Sequence, residues 1–303
     1  MSPARDMKVL VIGSTGTVGS QVVQGLQAKG VAVGVHTRDE TKAKVRFTEA
    51  TVHTGDLSEP ATVRELFRGY DGVFMLHHTV TTETHEALMC INGATLNGVR
   101  KFVYMTAHGL ESVCYMPHAG AKVAGEEALK RSPMEWTIIR PNNFFQNDYW
   151  FKDPLLQYNV YPQPLGSIGV QRVDVRDVAK ASVIALTQPG HAGQVYDLVG
   201  PDVLTGPACA EMWGNALGRP IAYGSEDMDA WEEINSQWFP AFIAFDYRLA
   251  FEFFQREGLR ATPEAVERLT RLLGHEPRRY EAFVDETAKA WMTQLEEVRP
   301  AIG

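Results

Sequence analysis

The run Met7-Lys8-Val9-Leu10-Val11-Ile12 stops at Gly13-Ser14-Thr15-Gly16-Thr17-Val18-Gly19, after which apolar residues return at helical spacing. Such a passage predicts a buried-type strand, a glycine turn and a helix start. Glycines three apart meet three separate needs: a tight turn off the strand, approach of bare backbone to a pyrophosphate, and close packing of helix on sheet. The new helix presents unpaired N–H groups and the positive end of its dipole to an anion. Directly after a strand, the triplet Gly13, Gly16 and Gly19 reads as a dinucleotide fingerprint in preference to an ordinary glycine-rich turn.

The end of the second strand bears on which dinucleotide. Residues 31–36 predict that strand, and where an NAD-binding chain usually carries Asp or Glu for the ribose hydroxyls, this one continues His36-Thr37-Arg38. Arg38 can pair bidentately with a 2′-phosphate and stack on adenine, with Lys42 and Lys44 adding charge, so NADP(H) is expected over NAD(H). An arginine on a solvated loop is the plainer alternative. A third strand ends in Gly55-Asp56-Leu57, a polar cap placed to meet the adenine, although Asp56 could equally be the N-cap of a helix over residues 61–67.

The 303 residues, 45% of them hydrophobic, suffice for one large domain or two modest ones. A net charge of −8 without any basic block argues against a binder of nucleic-acid phosphates. No apolar run approaches the roughly 18 residues that span a bilayer, and the opening Met1-Ser2-Pro3-Ala4-Arg5-Asp6 lacks a signal-peptide core, so a cytoplasmic protein is expected. Three cysteines, Cys90, Cys114 and Cys209, stand far apart and read as ordinary thiols. Neither paired histidines nor carboxylates suggest a metal, and none is expected. No Gly-x-Ser-x-Gly elbow or Cys-His pairing points to a hydrolase.

Further strands are predicted over 72–77, 101–106 and 135–140, the last ending at Pro141. Helices over 17–29, 60–68 and 82–98 separate the earlier strands, the alternation of a parallel sheet covered on both faces. Ligands of such sheets sit at the carboxyl ends of the strands, so Gly13, His77, Thr106 and Pro141 should converge. After Pro141 the alternation loosens through residues 142–164. Residues 171–177 then lead into a helix whose start holds Asp174 and Asp177, and 194–199 predict a strand that rejoins the sheet. Beyond residue 204 the chain reads as helices with one short strand candidate, 220–223, and a dense set of aromatics. The expected division is a dinucleotide domain over 1–155, to which 170–200 return, and a smaller, mostly helical part over 200–303 with 142–170. That part should close over the cofactor crevice and supply walls for the substrate. His78, His108, Phe144, Phe145, Tyr149 and Trp150 are the candidates to meet a bulky apolar or aromatic substrate; for any single aromatic, a place in the core is the alternative.

In this order and spacing, the glycine loop, Thr37-Arg38, Gly55-Asp56-Leu57, His118-Ala119-Gly120-Ala121-Lys122, Trp136-Thr137-Ile138-Ile139-Arg140-Pro141-Asn142 and Val173-Asp174-Val175-Arg176-Asp177-Val178-Ala179 resemble the NmrA-like branch of the atypical short-chain dehydrogenase/reductase superfamily. The resemblance covers nearly the whole chain. It implies an α/β fold, a Rossmann-type doubly wound parallel sheet with a smaller, mostly helical C-terminal substrate domain, and NADP(H) lying across the strand ends. Similar proteins include quinone and dye reductases, plant ether and flavonoid reductases, and regulators that bind the cofactor without chemistry, so the fold implies no single activity.

Ordinary members use a Tyr followed four residues later by Lys; here His118 takes the Tyr position and Lys122 is kept, as in the His-x-x-x-Lys variant of NmrA-like proteins. The resemblance gives Lys122 to the nicotinamide ribose. The expected cofactor contacts, from the fingerprint, the strand ends and the shared motifs together, are Gly13, Ser14, Thr15, Gly16, Thr17, Val18, Gly19, Thr37, Arg38, Asp56, Leu57, His77, Pro141 and Asn142. An imidazole at position 118 can donate a proton near neutral pH, or His118 can simply start a helix. Thr106 stands where the family often has Ser or Thr and could bond a substrate oxygen or cap its own loop. The expected function is NADPH-dependent reduction of a bulky apolar or aromatic carbonyl, quinone or enone, with a homodimer as the one oligomer considered. The alternatives are a non-catalytic NAD(P)-binding regulator of a protein partner, and a lyase or isomerase that reuses the cofactor.

Overall fold

The computed structural model describes residues 7–77, 79–224 and 226–298, the side chains of 295–298 excepted. Seven strands form one parallel sheet: β1 (Lys8–Ile12), β2 (Ala32–Thr37), β3 (Thr51–Thr54), β4 (Gly72–Met75), β5 (Lys101–Met105), β6 (Glu135–Pro141) and β7 (Gln194–Leu198). Their order is β3-β2-β1-β4-β5-β6-β7, so the winding direction reverses between β1 and β4. Twelve helices are described: α1 (Thr17–Gln27), α2 (Glu40–Arg46), α3 (Pro60–Leu66), α4 (Glu83–Leu96), α5 (Leu110–Val113), α6 (Pro117–Lys130), α7 (Val175–Thr187), α8 (Gly206–Leu217), α9 (Met228–Asn235), α10 (Ala241–Glu257), α11 (Pro263–Leu273) and α12 (Tyr280–Val298).

The chain divides into two compact units. The first comprises the residues up to Asn142 with Val175–Leu198 and Pro263–His275. Its sheet is apolar on both faces because side chains alternate along each strand and both sides are covered. Leu10, Ile12, Val73, Met75, Phe102, Tyr104 and Ile138 join the core built with Leu66, Ala87, Cys90, Ile91 and Leu129 of α3, α4 and α6. The intervening Val9, Val11, Phe74, Val103 and Ile139 are equally buried and point to the opposite face, where α1 packs on α7. Helix α11 lies on α7 and β7, with the Arg268 guanidinium over the Tyr196 ring at 4.6 Å. By sequence, 263–275 had been grouped with the helical C-terminal part. An amphipathic helix reveals that it covers an apolar surface, not which one.

The second unit comprises Asn143–Asp174, Val199–Thr262 and the residues from Glu276 on. The loosened stretch after Pro141 forms a 3-10 helix over Phe145–Phe151 and a π turn over Pro154–Tyr158. A two-residue strand, Val160–Tyr161, then pairs with Ala222–Tyr223. At the centre of this unit Arg172 and Asp148, both fully buried, form an ion pair at 2.6 Å. Arg172 also donates to Asn143 Oδ1 (2.8 Å) and the Phe144 carbonyl (2.6 Å), while Trp213 Nε1 (3.1 Å) and the Tyr280 hydroxyl donate to Asp148. Trp213 of α8 stacks on Trp291 of α12 at 5.1 Å.

Gly13 (φ +81°) takes the left-handed turn off β1, and a Cβ there would stand 2.6 Å from the Leu76 side chain. A Cβ on Gly19 would lie 2.2 Å from the Gly13 carbonyl oxygen, so the start of α1 can approach the loop only without a side chain. We therefore expect Gly19→Ala to lower unfolding free energy by about 1–3 kcal/mol, an overpacking cost. Gly16→Ala should cost less than about 1 kcal/mol, the scale of an N-cap change; urea denaturation compares the two. Arg172→Met should cost the second unit about 3–5 kcal/mol because Asp148 is left buried and uncompensated, read by the same measurement.

Candidate functional site

Parallel pairing aligns the carboxyl ends of β1, β4, β5 and β6. The Leu76 N–H donates to the Ile12 carbonyl (3.3 Å), Thr106 N–H to Ile139 (2.8 Å) and His108 N–H to Pro141 (3.0 Å). These bonds set Gly13, His77, Thr106 and Pro141 along one end of the sheet, where a doubly wound fold collects ligands. Within the glycine loop, Thr15, Gly16 and Thr17 are exposed, whereas Ser14, Val18 and Gly19 are buried. The Ser14 hydroxyl donates to the His36 carbonyl (3.1 Å), and Arg46 of α2 donates to the Thr15 carbonyl (2.7 Å). Helix α1 has no side-chain cap. Gly16 has an ordinary extended backbone (φ −76°, ψ 175°), and a Cβ on it would meet only the Gly13 oxygen, at 3.4 Å. The protein's own packing thus leaves room there, and the missing side chain keeps clear the space in front of the α1 N-terminus. Those residues fit a pyrophosphate.

At the end of β2, Thr37 is buried and its hydroxyl accepts from the Asp39 N–H (3.0 Å). Asp39, the nearest acid, caps α2 by accepting from the Lys42 N–H (3.0 Å) and pairs with the Lys42 ammonium (3.3 Å); Lys44 pairs with Glu40 (2.5 Å). Arg38 is exposed. Ser58 holds the Asp56 carboxyl below the usual range by hydrogen bonding, and the Arg38 charge adds to the effect. Asp56 accepts from the Ser58 N–H (2.8 Å) and hydroxyl (2.7 Å), while the N-cap of α3 is Glu59, so Asp56 closes a turn and does not cap that helix. The Leu57 side chain belongs to the core, which leaves its main chain alone to meet a ligand. Burial lowers the His36 imidazole, whose Nε2 lies 2.9 Å from the Gly55 carbonyl.

The other half of the strand ends is governed by buried charge. His118 and Lys122 stand one turn apart on the same side of α6, which begins at Pro117. The buried Lys122 ammonium donates to the carboxylate of Glu83, the first residue of α4. The Thr106 hydroxyl donates to Glu126 Oε1 (2.7 Å), and Arg140 holds Glu126 with two bonds (2.9 and 2.6 Å) while donating to Glu111 (2.7 Å). Thr106 therefore spends its one proton on a buried carboxylate and keeps only lone pairs for another group, which corrects the expectation that it bonds a substrate oxygen as a donor. His108 Nδ1 lies 2.8 Å from Asp197 Oδ1; burial pushes the Asp197 carboxyl up, but the His108 bond and charge hold it below the usual range. His77 is nearly buried, its Nε2 3.5 Å from Glu86. Pro141 and Asn142 are buried, the Asn142 N–H bonded to Leu198 (3.0 Å). His78 lies outside the described residues.

Glu83, Glu126, Arg140 and Asp197 were not singled out from sequence. Glu126 had a local signal, four residues beyond Lys122 on the same helix. Glu83 and Asp197 had none, being 39 and 89 residues from their partners.

In the second unit Phe145 is 1% exposed and packs between Tyr280 (5.2 Å) and Phe283 (5.7 Å), a core position that removes it from the substrate-facing set. Phe144 is half-buried, its carbonyl taken by Arg172. Tyr149 and Trp150 remain exposed, Tyr149 against Phe283 (5.6 Å) and Trp150 against Phe239 (6.1 Å). No cluster of metal-binding side chains exists among the described residues, and no described helix is long and apolar enough to cross a membrane.

Residues 13–189 match the family model described as NAD(P)H-binding. The NAD(P)H azoreductase of Xenophilus azovorans is 34% identical over 218 residues, 71% of this chain and 76% of that protein. The fold is shared with the NADPH-dependent quinone oxidoreductase of Escherichia coli solved with NADPH (TM-score 0.82, 20% identity, 92% of this chain and 99% of that one). It is also shared with a mutant NmrA (TM-score 0.75, 14% identity, 95% and 99%). The chain belongs to this NAD(P)H-binding family.

Proposed function

We propose that this protein is an NADPH-dependent reductase of a bulky apolar or aromatic acceptor such as a quinone, carbonyl or enone. Gly16 carries the reading. Nothing among the described residues forbids a side chain there, and bare backbone in front of a helix N-terminus suits a pyrophosphate. The azoreductase relative supports reduction as the chemistry.

When bound, the nicotinamide supplies a hydride. The chain's own groups do the rest. First-turn amides of α1 hold the pyrophosphate, Arg38 pairs with the 2′-phosphate, and Lys122 donates to the hydroxyls of the nicotinamide ribose. His118 gives the proton that, with the hydride, completes a two-electron reduction. A histidine in place of the usual tyrosine favours a second reading, a regulator whose affinity for a protein partner changes when the cofactor binds.

Arg38→Ala should weaken NADPH by about 1.5–3 kcal/mol and leave NADH nearly unchanged, a difference read by calorimetric titration. Equal wild-type affinities for the two would remove the NADP(H) preference. Gly16→Val should bind neither cofactor while its circular dichroism stays native. His118→Ala should bind NADPH normally and lower kcat by about 100-fold, followed as loss of reduced-nicotinamide absorbance with quinones, aldehydes, enones and azo dyes. Tight cofactor binding without turnover across that panel would leave the regulator as the better account.

A further inference from the structure

Lys122 and Glu83 are both buried, at 8% and 1% exposure, and they bond to each other across 39 residues of chain. A lysine is a flexible four-carbon stem ending in a strongly hydrated point charge, so an ammonium taken out of water needs a fixed anion to hold it in one place. Glu83 supplies that anion from a rigid base. It opens α4, the first helix after β4, and a carboxylate there is itself favoured by the dipole of its helix. The arrangement uses one of the three N–H donors of the ammonium, and one turn further along the same helix Glu126 accepts from Thr106 at the carboxyl end of β5.

We infer that Glu83 is the positioning residue that presents the Lys122 ammonium to the nicotinamide ribose, a role resting on the dinucleotide reading above. A pair serving only the fold would be replaceable by apolar side chains of similar volume with little loss of stability, and its removal would not distinguish one end of the cofactor from the other. A positioning pair makes that distinction. Losing Glu83 frees or displaces Lys122, so contacts to the nicotinamide half weaken while the adenosine half, held by the glycine loop and Arg38, is untouched.

The test is calorimetric titration of the wild type, Glu83→Gln, Lys122→Met and the double variant with NADPH and with 2′,5′-ADP, which lacks the nicotinamide ribose. Glu83→Gln should raise the Kd for NADPH by about tenfold or more, the scale of a charge-assisted hydrogen bond, and leave that for 2′,5′-ADP within about twofold. The double variant should bind NADPH no more weakly than Lys122→Met alone, because Glu83 acts only through Lys122. If Glu83→Gln does not fold, Glu83→Asp is read with the same two ligands and should show the same selective loss in smaller measure. Equal weakening of both ligands, no weakening of either, or additive losses in the double variant would overturn the positioning role while leaving the dinucleotide site intact. A wild type that binds no dinucleotide would remove both.

Discussion

The closeness of Gly19 to the Gly13 carbonyl sets where α1 begins, and much of the first unit follows from that placement. Because the helix starts hard against the end of β1, its axis runs back over the sheet and its apolar side meets α7. The same placement turns Thr15, Gly16 and Thr17 outward while Ser14 and Val18 point in. Of the three glycines, then, the outer two answer to the protein's own packing and the middle one does not. The distinction separates residues needed to build a site from the residue left bare for its occupant.

Buried charge organises what the glycine loop does not. In the first unit, Glu83 with Lys122 and Glu126 with Arg140 pin α4, α6 and β6 at the strand ends. In the second, Arg172 and Asp148 gather Asn143, Trp213 and Tyr280 around one fully dehydrated pair. Pairs of this kind contribute little net stability, since desolvation offsets the attraction, but they heavily penalise arrangements that separate the partners. Here they join segments distant in sequence. Their effect is to select one packing over its near alternatives.

The elements with local signals were legible in sequence. Most strands of the parallel sheet announced themselves as short apolar runs, β3 being the polar exception, and even β7 and the two-residue strand at Ala222–Tyr223 fell within the stretches expected. The dinucleotide-binding part of the family resemblance was equally readable because its carriers are contiguous motifs, and the NAD(P)H-binding family model bears it out. What stayed hidden depends on tertiary proximity. Phe145 looked like its exposed neighbours Tyr149 and Trp150 until Tyr280 and Phe283 closed over it. Thr106 stood at the expected strand end, yet its proton goes to Glu126, and that depends on how α6 packs over β5 and β6. Lys42 and Lys44 read as free positive charge, but carboxylates of their own short helix and its cap take them up.

The route of the chain carries a consequence for its synthesis. The first unit is made from three separated stretches, the last of them Pro263–His275. When the ribosome has released only the residues up to Asn142, β6 has an open edge that β7 will later pair, and α1 has an apolar side awaiting α7. An unpaired edge and an uncovered helix face invite association with other chains. The second unit, whose last helix follows α11, likewise cannot close until α12 has been made. Both units must therefore wait for segments made late in this sequence, and neither can be excised as a continuous fragment.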